Sequence, residues 1–175
     1  MIDFNSTTPR GCKHTKSQVW CTPNYIIERL GGRESFDLDP CQSDNIVTKT
    51  AKNYFFERDD GLSKEWFGRV FCNPPYNNLK SWFSKMSKHN DGIVLCFART
   101  DTKAWNYIET ATGINFIRGR IKFLDENGVG NSPANAASCL IAWGEYNYMM
   151  IKNIPGLYVR IDKESSLDLG GIEHI

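Results

Sequence analysis

The sequence predicts an α/β protein whose sheet is mostly parallel, with antiparallel strands at one edge. Three observations point there. Residues 92–98 (GIVLCFA) form an uninterrupted apolar run, as expected of a strand covered on both faces. The segment before it, residues 78–88, carries Leu79, Trp82, Phe83 and Met86 at helical spacing. Late in the chain, residues 114–117, 121–124 and 138–143 read as strands without helix-length connections between them.

The remaining elements follow in order. Residues 1–18 are polar and aperiodic and read as a loose arm. Thr22 then serves as a helix cap with Pro23 at the first helical position, the helix running from Asn24 to Leu30 until Gly31-Gly32 stops it. Residues 35–38 alternate as a short strand that ends at Asp39-Pro40. Residues 46–52 read as a weak helix, ambiguous with strand, and residues 53–56 as extended, followed by a polar turn over 57–61. Residues 69–72 form a further strand that must leave the sheet at Pro74-Pro75, because adjacent prolines cannot continue a central strand. Residues 102–111 read as a helix, residues 125–137 as a polar Gly/Asn-rich loop, and residues 148–161 as a last strand or two. The expected organisation is one domain over residues 19–165, flanked by the arm and by a tail over 166–175.

Composition fits that picture. With 175 residues, two independent cores would each be small. A hydrophobic share of 41% against 23% charged is ordinary for a globular chain and argues against wholesale disorder. Lys+Arg 21 against Asp+Glu 20 excludes a histone-like polycation, but a local basic stripe is what a phosphate backbone feels. No apolar run approaches the roughly 18 residues of a membrane span, and no apolar segment follows the N-terminal charges as in a secretory signal. The six cysteines lack any CxxC pair, and Cys72, Cys96 and Cys139 sit inside apolar runs, so they read as small hydrophobes in a reducing, cytoplasmic setting. The three histidines lack ligand spacing with any cysteine pair, so no metal site is expected.

Asn73-Pro74-Pro75-Tyr76, directly after an apolar strand, is the most informative motif. An exocyclic amino group is a poor nucleophile because its lone pair is delocalised into the ring. Methylating it requires acceptors that hold its hydrogens and aim the lone pair at a sulfonium methyl. The Asn73 side-chain oxygen and the following backbone carbonyl supply two such acceptors, fixed rigidly by the prolines. Tyr76 offers a flat face to an extruded base. In sheets of this kind ligands bind beyond the carboxyl ends of the strands, where Asp37, Asp39 and the Asn73 corner are all expected. Read locally, Asp37 and Asp39 are equally a turn signal before Pro40, and Asp60 a solvated turn.

Several motifs occur in one order: Trp20-Cys21-Thr22-Pro23; Phe36-Asp37-Leu38-Asp39-Pro40-Cys41; Asp60-Gly61-Leu62 with Trp66; Val70 to Tyr76 with Trp82; and Gly119-Arg120-Ile121-Lys122-Phe123. In this the sequence resembles the phage-type DNA adenine-N6 methyltransferases, the Dam-like family of small phage enzymes, over residues 18–145. The resemblance implies a Rossmann-like class I methyltransferase fold using S-adenosyl-L-methionine, with Asn73, Pro74, Pro75 and Tyr76 as the catalytic loop. It implies that Asp39, or nearby Asp37, approaches the cofactor's amino group. Asp60 would bind its adenine, and Trp20, Thr22 and Pro23 would close over it beside Pro40 and Asn73, which would also contact the cofactor. One departure is that residues 39–43 carry no glycine, where many amino-methyltransferases have a Phe-x-Gly-x-Gly loop.

The expected partner is double-stranded DNA, with restriction avoidance as the role the resemblance suggests. Arg99, Lys103, Arg118, Arg120 and Lys122 flank strand ends and are candidates for a phosphate-binding rim, although each alone also reads as an ordinary solvated charge. No separate recognition domain fits in the chain, so specificity falls to loops, to the arm or to a homodimer partner. Trp66, Trp82, Trp105 and Trp143 are assigned to packing. Two rival readings stay open: the same chemistry on RNA adenine or a protein glutamine amide, and a silent nucleic-acid-binding module.

Overall fold

The computed structural model describes residues 20–130 and 133–161. The expected arm and tail lie outside the described residues. Seven strands form one sheet: β1 (Leu38–Gln42), β2 (Asn53–Phe56), β3 (Val70–Cys72), β4 (Gly92–Phe97), β5 (Gly113–Ile117), β6 (Ser138–Trp143) and β7 (Gly156–Arg160). Their order is β2-β1-β3-β4-β6-β5-β7. The first four run parallel, whereas β6 is antiparallel to both β4 and β5, and β7 is antiparallel to β5. The mixed sheet matches the expectation.

Helices α1 (Asn24–Arg29) and α3 (Glu145–Ile151) cover one face and α2 (Leu79–His89) the other. Residues along β4 alternate between two cores. Ile93 and Leu95 pack with Ile26, Phe71 and Ile151, while Val94 and Cys96 pack with Phe83, Met86 and Trp143. The GIVLCF run is apolar throughout because both faces are covered. No helix among the described residues is long and apolar enough to cross a membrane.

Several elements depart from expectation. The first strand begins at Leu38 and runs through Pro40, three residues later than the alternation suggested. Residues 33–35 instead form a 3-10 turn closed by the Ser35 hydroxyl on Gly32 O at 2.7 Å. Pro40 is tolerated because the β1–β2 register is interrupted between Asp39 and Gln42, where no ladder donor is demanded. Residues 46–50 are neither helix nor strand; Gln42 Nε2 holds them by donating to Thr48 O at 3.0 Å and Thr50 Oγ1 at 3.2 Å.

The later differences are of the same kind. Lys103–Thr110 is a 3-10 helix. The strand expected over 121–124 reduces to Leu124, which bridges Cys21 on one side and Gly130 on the other. Residues 145–151, partly read as strand, form α3; its seven residues are too few to display a period, though Asn147, Tyr148 and Ile151 share the buried face. Thr22 is not the cap of α1: the cap position is Pro23, and no side chain caps that helix.

Candidate active site

The chain passes from β1 to β2 on one side of the sheet, then crosses to β3 on the other. The carboxyl ends of β1 and β3 therefore flank a topological switch point, where an open α/β sheet leaves a crevice. A cavity of about 630 Å³ lies there, within the range of small-ligand sites. Its walls include Trp20, Thr22, Asp39, Pro40, Asp60 and the whole Asn73–Tyr76 corner. Four segments separated in sequence, each a site candidate on its own, meet around it.

Asp39 is 3% exposed. Its Oδ2 accepts from Thr50 Oγ1 at 2.5 Å, and its Oδ1 from Cys41 N at 3.1 Å and Cys41 Sγ at 3.6 Å. Burial pushes the carboxyl up to about 6, opposed by the hydrogen bonds from Thr50 and Cys41. No cationic side chain among the described residues contributes to its balance. A buried carboxylate in a cavity wall with no protein cation is suited to a cationic ligand.

Asn73 is held through its amide nitrogen, which donates to Trp20 O at 2.8 Å and Thr22 Oγ1 at 3.2 Å. A carbonyl oxygen can only accept, so the NH2 end must face Trp20. A carboxylate at position 73 would have no proton to offer that carbonyl. Both amide protons are thereby used, and Oδ1 accepts no hydrogen bond among the described residues while staying accessible. Pro74 is buried and Pro75 exposed, so the corner is anchored on one side and open on the other.

Behind the corner stands an aromatic group that the sequence reading missed. Phe97, at the end of β4, stacks on one face of Tyr76 with centroids 4.5 Å apart and planes 10° from parallel. Trp20 meets Phe97 and Phe123 edge-on at 6.5 Å and 5.6 Å. The Tyr76 hydroxyl is buried without a hydrogen-bond partner among the described residues, and burial holds its ionisation well above the ordinary tyrosine range. The signal for Phe97 and Phe123 was present in their strand-like runs, but nothing local told them apart from ordinary core.

The two acids of the Asp59-Asp60 turn differ in placement. Asp59 accepts from the Phe56 backbone N–H at 2.9 Å, closes a 3-10 turn and does not line the cavity, whereas Asp60 adopts φ 51° and stands exposed at the cavity rim. Gly61 lies so close to β1 that a Cβ would fall 1.9 Å from the Pro40 carbonyl oxygen. Glu57, just past the carboxyl end of β2, also lines the cavity and was missed, since its polar turn looked like a plain connection.

Two expected cofactor residues are not in the wall. Asp37 precedes β1 at the opposite end of the sheet; its Oδ2 accepts from Arg69 N at 2.9 Å and its Oδ1 pairs with Lys52 Nζ at 3.0 Å. The later start of β1 is what moves Asp37 away. Pro23 is buried at the start of α1 and does not line the cavity.

The basic candidates Arg99, Lys103, Arg118, Arg120 and Lys122 are all exposed. Arg99 and Arg118 follow the carboxyl ends of β4 and β5, which share the cavity's edge of the sheet. Arg120 and Lys122 alternate with buried Ile121 and Phe123, and Arg120 Nη1 donates to Ala134 O at 3.3 Å. Trp66 and Trp82 stack at 6.1 Å in the second core, and Trp143 is fully buried, as assigned; Trp82 also reaches the cavity. Trp105 stacks on Phe116 at 6.3 Å.

A small-ligand cavity at the switch point of an α/β sheet, walled by a buried acid and an oriented amide, is the candidate active site. The family model described as DNA N-6-adenine-methyltransferase (Dam) matches residues 8–163, and the chain belongs to that family. It is accordingly a methyltransferase acting on adenine in DNA, from a family that uses S-adenosylmethionine. A comparison with curated proteins returns no match.

Proposed function

We propose that this chain transfers a methyl group from S-adenosylmethionine to the N6 amino group of an adenine turned out of duplex DNA, on a Rossmann-like class I scaffold. The observation that carries the reading is the Asn73 amide, tethered by its nitrogen so that an accessible oxygen borders the same cavity as the buried Asp39 carboxylate. The residues fit the cofactor: Asp39 offers a buried negative charge to its ammonium group, and Asp60, exposed in the cavity wall, accepts from its adenine. When bound, S-adenosylmethionine supplies an electrophilic methyl group on a sulfonium.

The chain's own residues prepare the nucleophile. Asn73 Oδ1 and the Pro74 carbonyl accept the two amino hydrogens of the target base, which returns lone-pair density to the nitrogen. Tyr76, backed by Phe97, stacks on the base and partly offsets the cost of unstacking it. Arg99, Lys103, Arg118, Arg120 and Lys122 contact phosphates around the mouth. The proposed working compartment is a reducing cytoplasm, that of the bacterial host if the chain is phage-encoded.

Incubation with labelled S-adenosylmethionine and, separately, duplex DNA, RNA and protein tests the reading. Label recovered as N6-methyladenine from duplex DNA is the expected result. Label confined to RNA or protein, or DNA binding without transfer, overturns it.

A further inference from the structure

The sequence reads Thr22 as the cap of the first helix, but Pro23 holds the cap position of α1 and Thr22 lies one residue outside it. Its side chain is 3% exposed and its hydroxyl accepts from Asn73 Nδ2 at 3.2 Å. The flanking backbone is held on both sides. Cys21 exchanges hydrogen bonds with Leu124 at 2.9 Å in each direction, and Pro23 fixes φ at −65°.

We infer that Thr22 is a positioning residue for Asn73, fixing the side-chain amide so that its oxygen faces the base while its nitrogen stays occupied. The inference rests on the reading of Asn73 as the acceptor for the target amino group. The Trp20 carbonyl takes one amide proton and the Thr22 hydroxyl the other. Trp20, Cys21 and Thr22 also line the cavity. One short segment therefore borders the ligand space and orients the catalytic amide, rather than only closing over the cofactor. Without the hydroxyl, one amide proton loses its partner and the group gains rotational freedom.

Three variants test this: Thr22→Val and Thr22→Ala, which lose the hydroxyl with different shapes, and Thr22→Ser, which keeps it. The first readout is water exchange of the Asn73 side-chain amide protons by NMR, assigned by their absence in Asn73→Ala. One of these protons should exchange about tenfold faster in both hydroxyl-free variants and be unchanged in Thr22→Ser. The second readout is single-turnover methyl transfer. It should slow about tenfold in the valine and alanine variants and recover in Thr22→Ser, with cofactor Kd and DNA KM within about twofold of the parent. Unchanged amide exchange in the hydroxyl-free variants overturns the inference, as does a Thr22→Ser variant as slow as they are, or a loss that falls on cofactor Kd instead of rate. Altered exchange with a parent protein that transfers nothing to DNA leaves the tether standing and removes the function proposed above.

Discussion

Asp39 carries an electrostatic signature that can be read in solution. Its carboxyl titrates at about 6 against an ordinary 3.8 because it is buried. Between those values the folded state binds more protons than the unfolded chain, so this group makes stability fall as pH rises from about 4 to about 6. A cationic ligand reverses the preference, because it pairs only with the ionised form. Cofactor affinity should therefore decline as pH drops through about 6, which calorimetric titration from pH 8 to pH 5 will display. Asp39→Asn should weaken cofactor binding by tenfold or more, on the order of one lost charge-assisted contact. The same variant should melt no lower than the parent at pH 8, since it removes a buried charge that costs on the order of 3 kcal/mol without a ligand. A variant that binds cofactor normally would remove Asp39 from the site.

At the scale of elements, the site depends on how closely β1, the 57–61 turn and β3 approach one another. Gly61 is the closest of these contacts, its absent side chain making room for the Pro40 carbonyl. Gly61→Ala should destabilise the fold by about 1–3 kcal/mol, as overpacking does, and weaken cofactor binding together with it. Denaturant melts and cofactor titration measure the two effects; an alanine variant of parental stability would mean that the turn yields freely.

The elements also explain what was legible in advance. Residues 92–97 and 79–89 announced themselves through a continuous apolar run and a helical period, and the Asn73 corner through prolines that a central strand refuses. The position of β1 was not legible, because Pro40 appeared to end a strand that in fact carries it through a register break. That three-residue displacement separates Asp39, in the cavity, from Asp37, at the other end of the sheet. Thr22 and Pro23 read locally as a helix start. Only the fold discloses that Thr22 faces Asn73 across 51 residues.

For the molecule as a whole, the carboxyl edge of the sheet concentrates the chemistry. The cavity, the Asn73 corner and the exposed Arg99 and Arg118 all lie there, while Asp37 and Lys52 close the opposite edge. With a net charge of +1, the overall balance offers a duplex little attraction, and the proposed rim is the expected source of it. Replacing Arg118, Arg120 or Lys122 by alanine should each lower the slope of log affinity against log salt by about 1. Turnover at saturating DNA should remain. A set of variants with the parental salt slope would move the DNA surface elsewhere.

Asn73 and Asp39 border one ligand space, the amide oxygen for the target base and the carboxylate for the cofactor, in the function proposed above. Single-turnover transfer by Asn73→Ala, with cofactor saturating and its binding measured on the same preparation, addresses that claim most directly. Transfer should fall by about a hundredfold or more while cofactor Kd stays within about threefold of the parent. Transfer within about tenfold of the parent would contradict it.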